Sequence, residues 1–375
     1  MTILPRGHRL APSVRWACLV AGVGSSFGAA LFAPADVAPH PPAPARCSAT
    51  ATSLTPAGWR APVQAPRHAP APGLRVVATI PLPGPTNRFD YQSFDDTRRR
   101  LYINHMNAGH LLAFDVDSQR VMNDVGNLPR ATGVLAVPGR HAVYVSSAGA
   151  HAAVVLDDRT LREVARADGI RFPDGIAYAP SADKVFVSDE SGGADVVIDA
   201  VTNRKRSTID LGGEAGNTHY DSVSRCILVA VQTRNELVAI DPAAERVVAR
   251  YRLAGFDHPH GFTLDEASRL AFITNEGSGE MQVVDLRTMR VLATHRVGDD
   301  PDVLAWDPGW RRLYVAAESG VVSSFWLDGT TLHPVGEYRA PSAHSVSVDP
   351  RTHRVYVPLE NVGGHPVLRV LEPNA

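Results

Sequence analysis

The sequence predicts an all-β fold, a seven-bladed β-propeller with four-stranded blades. Three observations predict it. A short β-branched or aromatic triplet recurs seven times at a nearly fixed interval. Each interval holds four strand-like segments separated by turn residues. A spare strand ahead of the first unit matches the one missing from the last.

The triplets are Leu101-Tyr102-Ile103, Val143-Tyr144-Val145, Val185-Phe186-Val187, Ile227-Leu228-Val229, Ala271-Phe272-Ile273, Leu313-Tyr314-Val315 and Val355-Tyr356-Val357, with centres 42, 42, 42, 44, 42 and 42 residues apart. Before each triplet comes an apolar strand such as Gly175-Ile176-Ala177-Tyr178, then a turn, often Asp-Pro or Ala-Pro. After it comes a strand that ends at Asp, as in Val283-Val284-Asp285 and Ala239-Ile240-Asp241. A fourth, more polar strand closes the unit, such as Val291-Leu292-Ala293-Thr294, and its polarity fits a solvent-facing outer position. The Gly-His and Trp-Asp pairs of WD40 repeats are missing, and no unit carries a helical period.

The seventh unit runs from His344 through Leu368-Arg369-Val370-Leu371 and lacks its fourth strand. The spare strand, residues 75–80, resembles the fourth strands of the other units. It is expected to complete the last blade and close the ring, since an open ring would expose an apolar face and unpaired strand edges.

The propeller is therefore expected over residues 74–375. Residues 1–35 read as a signal peptide: Arg6, Arg9 and Arg15, then an apolar run from Trp16 to Ala33, then the small-x-small site Ala33-Pro34-Ala35. Residues 36–73, rich in Pro and Ala, read as a disordered linker. No later stretch is long and apolar enough to span a bilayer. A periplasmic or secreted monomer is the expectation. The three Cys, Cys18, Cys47 and Cys226, give no disulfide framework, so stability is expected from the core alone. Six Arg and one acid precede Leu74, leaving 31 basic and 38 acidic residues in the body. That acidic balance disfavours nucleic acid as a partner.

Equivalent positions of a propeller form rings around one funnel, so spacing predicts convergence. Twelve residues before the triplet centres stand Asp90, Thr132, Asp174, Gly216, His260, Asp302 and His344. Four residues after them stand Met106, Ala148, Glu190, Gln232, Glu276, Glu318 and Glu360. Blades five, six, seven and one are neighbours in a closed ring, so His260, Asp302, His344 and Asp90 are expected to meet. Neutral imidazole and carboxylate suit zinc, manganese or iron, which makes these four a candidate set for a divalent metal. The expected ligand-binding set adds Asp174, Glu276, Glu318 and Glu360. The Glu row could supply acceptors to the His rings or a general base, or could cap turn N–H groups. His219 reads as a core histidine. His110, His141, His151, His295, His333, His353 and His365 read as turn or solvent positions.

No Gly-x-Ser-x-Gly elbow, P-loop, Rossmann glycine fingerprint or Cys-x-x-Cys-His appears. The triplets, the Asp-terminated third strands and the polar fourth strands together resemble the YVTN-repeat, YncE-like propeller proteins over roughly residues 74–373, best in the segment from Val283 to Thr294. The resemblance implies a propeller fold and an exported location. Relatives with sugar-lactonase activity hold a metal at the same end of the channel, using mainly Glu, Asn and Asp, whereas this chain offers a His-rich set. Three functions stay open: a funnel that binds a small molecule or an exported protein, a metal-dependent lactonase-like hydrolase, and a structural interaction module. Whether the chain is an enzyme is undecided at this level.

Overall fold

The structure, a computed structural model, describes residues 47–48 and 73–374. The expected signal peptide, and the linker apart from Cys47, Ser48 and Gly73, lie outside them. Seven four-stranded antiparallel sheets form a seven-bladed propeller. Blade one runs from Gln92–Asp95 to Arg120–Val125, and blade five from Pro259–Asp265 to Arg290–Arg296.

The triplets are the second strands, and they are buried because blades pack face to face. Tyr102, Tyr144, Phe186, Phe272 and Tyr314 are fully buried at the blade centres. Among the described residues, seven apolar clusters lie one at each interface between neighbouring blades. The outer strands alternate instead, as in Arg290–Arg296, because one face meets water. In blades one to five the Asp that ends the third strand caps the next turn: Asp115 Oδ1 accepts the Ser118 N–H at 2.7 Å and Asp199 Oδ1 the Thr202 N–H at 2.8 Å.

The ring closes as the sequence predicts. Leu74–Pro81 pairs antiparallel with His365–Pro373 and becomes the outer strand of blade seven. The cluster joining Leu101, Ile103, Leu112 and Phe114 of blade one to Tyr356, Leu368 and Val370 of blade seven packs like the other six. At the ends of the blades where first strands turn into second strands, ion pairs clamp neighbours together. Arg269 of blade five holds Asp221 of blade four at 2.7 Å, and Arg99 of blade one pairs with Asp349 of blade seven. His353 joins this series. It sits in a left-handed turn as expected, yet it is half-buried, 2.8 Å from Asp307 of blade six and stacked on Trp310.

One expectation is overturned. Cys47 and Cys226 form a disulfide across a sequence separation of 179 residues. Cys47 packs beside the cluster between blades four and five, and the Ser48 N–H donates to the Ser224 carbonyl at 3.0 Å. A residue inside a Pro- and Ala-rich stretch gives no signal of a partner so far along the chain. Cys226 begins its strand, and Val231 at the other end of that strand pairs with Ala215, in the row of first-strand starts. The cross-link therefore sits at the end of the blade opposite the starts of the first strands. No helix among the described residues is long and apolar enough to cross a membrane.

Candidate functional site

The site grows from an irregularity repeated at the start of the first strands. In blades three, five and six this strand opens on Pro173, Pro259 or Pro301, at a position where a missing N–H costs no ladder bond. The ladder then skips: Pro259 pairs with Asn275 and Phe262 with Ile273, so His260 and Gly261 together oppose one residue. The same two-residue skip isolates Asp174 with Gly175 and Asp302 with Val303. Such bulges re-aim side chains out of the sheet, here towards the axis. Buried donors on the second strands hold the bulged carbonyls: Ser146 Oγ donates to Asp174 O at 2.7 Å and Thr274 Oγ1 to Gly261 O at 2.9 Å.

The structure brings seven of the eight expected residues into one cluster of close contacts, and Glu360 is linked to it electrostatically. Asp302 is its centre, with Oδ1 3.3 Å from His260 Nε2 and Oδ2 2.8 Å from His344 Nε2. His344 Nε2 also lies 3.0 Å from Asp90 Oδ1, and its Nδ1 lies 2.9 Å from Glu318 Oε1. His260 Nε2 lies 3.7 Å from Asp174 Oδ2, and its Nδ1 lies 3.6 Å from Glu276 Oε1. Glu360 acts electrostatically on Arg88, Glu318 and His344 at the blade-seven side. Asp90, Asp174, His260, Asp302 and His344 are buried, while Glu276 and Glu318 keep 35% and 41% of their side chains exposed and form a rim. The Glu row is thus not a set of turn caps at blades five and six.

The four expected metal ligands do not converge as one set. Ligand atoms gather instead as two triads that share Asp302: Asp90, Asp302 and His344, and His260, Glu276 and Asp302. The ring positions of blades two and four, Thr132, Ala148, Gly216 and Gln232, carry no charge. Thr132 spends its hydroxyl on the Pro173 carbonyl at 2.7 Å, and Gly216 lies against the His260 backbone.

Three further residues belong to the site. The Tyr91 hydroxyl lies 3.3 Å from Asp174 Oδ2, 3.2 Å from Asp302 Oδ1 and 3.2 Å from His260 Nε2. Tyr91 also lines a cavity of about 240 Å³ with Ile176, His219, Phe262, Trp306 and Val346 among others, so one side chain touches both the charged cluster and this cavity. His219, expected as a core histidine, is only half-buried; it lines this cavity and packs on Phe262, and desolvation lowers it to about 4. Arg88 Nη2 lies 3.1 Å from each ring nitrogen of His344 and 2.9 Å from Glu318 Oε1. Glu190 reaches His260 and Asp302 electrostatically. Row spacing already pointed to Glu190. The row holding Tyr91 reads Gly133, Gly175, Asn217, Gly261, Val303 and Ser345 elsewhere, so a lone Tyr among small residues was the signal for it. Arg88 sits in a loop outside the rows and carries no such signal.

Charge governs this cluster. Burial alone would push His260 down, but Asp302, Glu276 and Asp174 outweigh it and hold it up at about 9. His344 is likewise held well above the usual imidazole value, against burial, by Asp302 and Asp90. Burial would raise Asp302, yet the two imidazoles hold it well below the carboxylate range. Burial dominates at Asp174, Glu190, Glu276 and Glu360 and raises all four. Seven carboxyl groups thus surround three cationic groups, Arg88, His260 and His344, and the four that burial raises are the ones an added cation would help to ionise. The arrangement can hold added positive charge, either as an organic cation on the Glu rim or as a metal ion on one of the triads.

No protein-family model matches the chain, and no curated protein matches it. Among solved structures it is similar to a chain of Kuenenia stuttgartiensis hydrazine synthase, with a TM-score of 0.66 and 17% identity over 77% of this chain and 96% of that one. At that identity the likeness carries the propeller fold alone.

Proposed function

We propose that this chain is an exported, YncE-like propeller that binds a small, positively charged ligand in its funnel. The observation that supports it is the charge imbalance at Asp302: carboxylates outnumber the Arg88, His260 and His344 cations, and the partly exposed rim of Glu276 and Glu318 gives access to them. Export draws support from the Cys47–Cys226 disulfide, since such bonds persist in oxidising compartments. Calorimetric titration with small organic cations such as putrescine, choline and arginine, beside matched anions, tests the reading. Cations bind, salt weakens them, and Glu318→Gln weakens them about tenfold. Binding confined to the anions, or no binding of either class, sinks the proposal.

A metal-dependent hydrolase is the second reading, favoured by the two ligand triads around Asp302. A divalent metal bound there would lower the pKa of a bound water, and a rim carboxylate of Glu276, Glu318 or Glu360 would be placed to take its proton. Lactone hydrolysis by metal-loaded protein, abolished by a chelator, checks this. Metal-loaded protein without hydrolytic activity removes it.

A further inference from the structure

Asp302 divides the cluster into two halves that are not equivalent. On the His344 half, every ring nitrogen is engaged. Nε2 meets Asp90 and Asp302, Nδ1 meets Glu318, and Arg88 lies against both nitrogens while also pairing with Glu318. The chain supplies its own cation there. A divalent ion entering beside His344 would meet a guanidinium about 3 Å from the same ligand atoms, and like charges at that range repel strongly in a buried setting.

The His260 half differs. Tyr91, Asp174 and Asp302 all lie around Nε2, and Nδ1 has no hydrogen-bond partner although His260 is only 6% exposed. Nδ1 faces Glu276 Oε1 at 3.6 Å, which is too long for a hydrogen bond. It is close to the separation of two atoms that share one metal ion. With metal–nitrogen and metal–oxygen bonds of about 2.1 Å and a tetrahedral angle, N and O stand about 3.4 Å apart. A carboxylate oxygen of Asp302 completes a triad whose ligand atoms lie within 4.8 Å of one another.

We infer that the funnel holds one divalent first-row transition metal ion, zinc or manganese in type, on His260, Glu276 and Asp302, and that Arg88 keeps a second ion off Asp90 and His344. This deepens the cation-binding reading and rests on it. Imidazole nitrogen with two carboxylates is a donor set for such ions rather than for calcium, which takes six or more oxygens.

The test uses full-length protein stripped with chelator and titrated with Mn²⁺ or Zn²⁺, followed by calorimetry and elemental analysis. One equivalent per chain is expected. Glu276→Gln and His260→Gln reduce it to none, with circular dichroism and melting temperature reporting the fold; because Glu276 is on the partly exposed rim, its variant remains informative if His260→Gln does not fold. Arg88→Met raises the stoichiometry to two. Metal that persists in Glu276→Gln but disappears in His344→Gln overturns the assignment, as does a wild-type chain that takes two ions. A chain that takes no metal but still binds the organic cations sinks this inference alone; one that binds neither sinks the cation-binding reading with it.

Discussion

A Cβ placed on Gly261 would lie 1.5 Å from the carbonyl oxygen of Asp302. The two residues belong to neighbouring blades, and only a hydrogen at position 261 lets the first strands come together this closely. The same relation joins Gly133 to Asp174, where the distance would be 1.9 Å. Both contacts are with backbone, so neither can be relieved by moving a flexible side chain. Gly261→Ala is therefore expected to cost more than about 3 kcal/mol or to prevent folding, because it forces blades five and six apart at the site itself. Gly139→Ala, which would meet nothing within 4 Å, is expected to change stability by less than about 0.5 kcal/mol. Denaturant unfolding of the two variants checks the contrast; equal losses would refute it.

Tyr91→Phe removes one hydroxyl from among Asp174, His260 and Asp302. Shape is conserved while buried polar groups lose a partner, so a loss of about 1–3 kcal/mol is expected. Cation binding should also weaken several-fold, since the hydroxyl orients both Asp302 Oδ1 and His260 Nε2. An unchanged melting temperature together with unchanged affinity would show that the hydroxyl positions nothing.

Asp195 is fully buried between blades three and four, where it accepts one bond from Thr218 Oγ1 at 3.2 Å, and its Oδ1 has no partner. Burial raises its carboxyl from 3.8 to about 7. The folded chain then keeps a proton that the unfolded chain releases. Its contribution is intact below about pH 4, declines as pH rises, and reaches its full penalty, on the order of 4 kcal/mol, above about pH 7. Asp195→Asn should match the wild type at pH 4 and melt higher at pH 8. Parallel stability curves for the two proteins across that range would refute the assignment.

The disulfide closes 179 residues of the unfolded chain, worth about 5 kcal/mol on chain entropy alone. Folding without the bond already holds Gly73 and Cys226 in place, which offsets much of that entropy. The net contribution is therefore nearer 2 kcal/mol. Cys47→Ser should lower stability by about that amount in non-reducing buffer, and should make the protein indifferent to dithiothreitol.

Much of this was legible before any coordinates. Triplet spacing gave the blade count, and the unmatched segment at residues 75–80 gave ring closure, because repeat architecture converts sequence distance into position. The same conversion placed His260, Asp302, His344 and Asp90 around one axis. It gave only the blade and the level of each side chain, not which atoms face one another. The bulges after Pro259 and Pro301 decide that, and they turn four expected metal ligands into two triads. Arg88 lies in a loop outside the repeat, and Cys47 lies far upstream of its partner, so neither obeyed a period that could have revealed it.

The position of Cys226 also sets a direction. It anchors Cys47 at the foot of blade four, a full strand length from the level of His260 and Asp302. The partly exposed carboxylates Glu276 and Glu318 therefore stand at the opposite blade ends from the cross-link, which leaves the tie and the cation-facing rim separate parts of the ring.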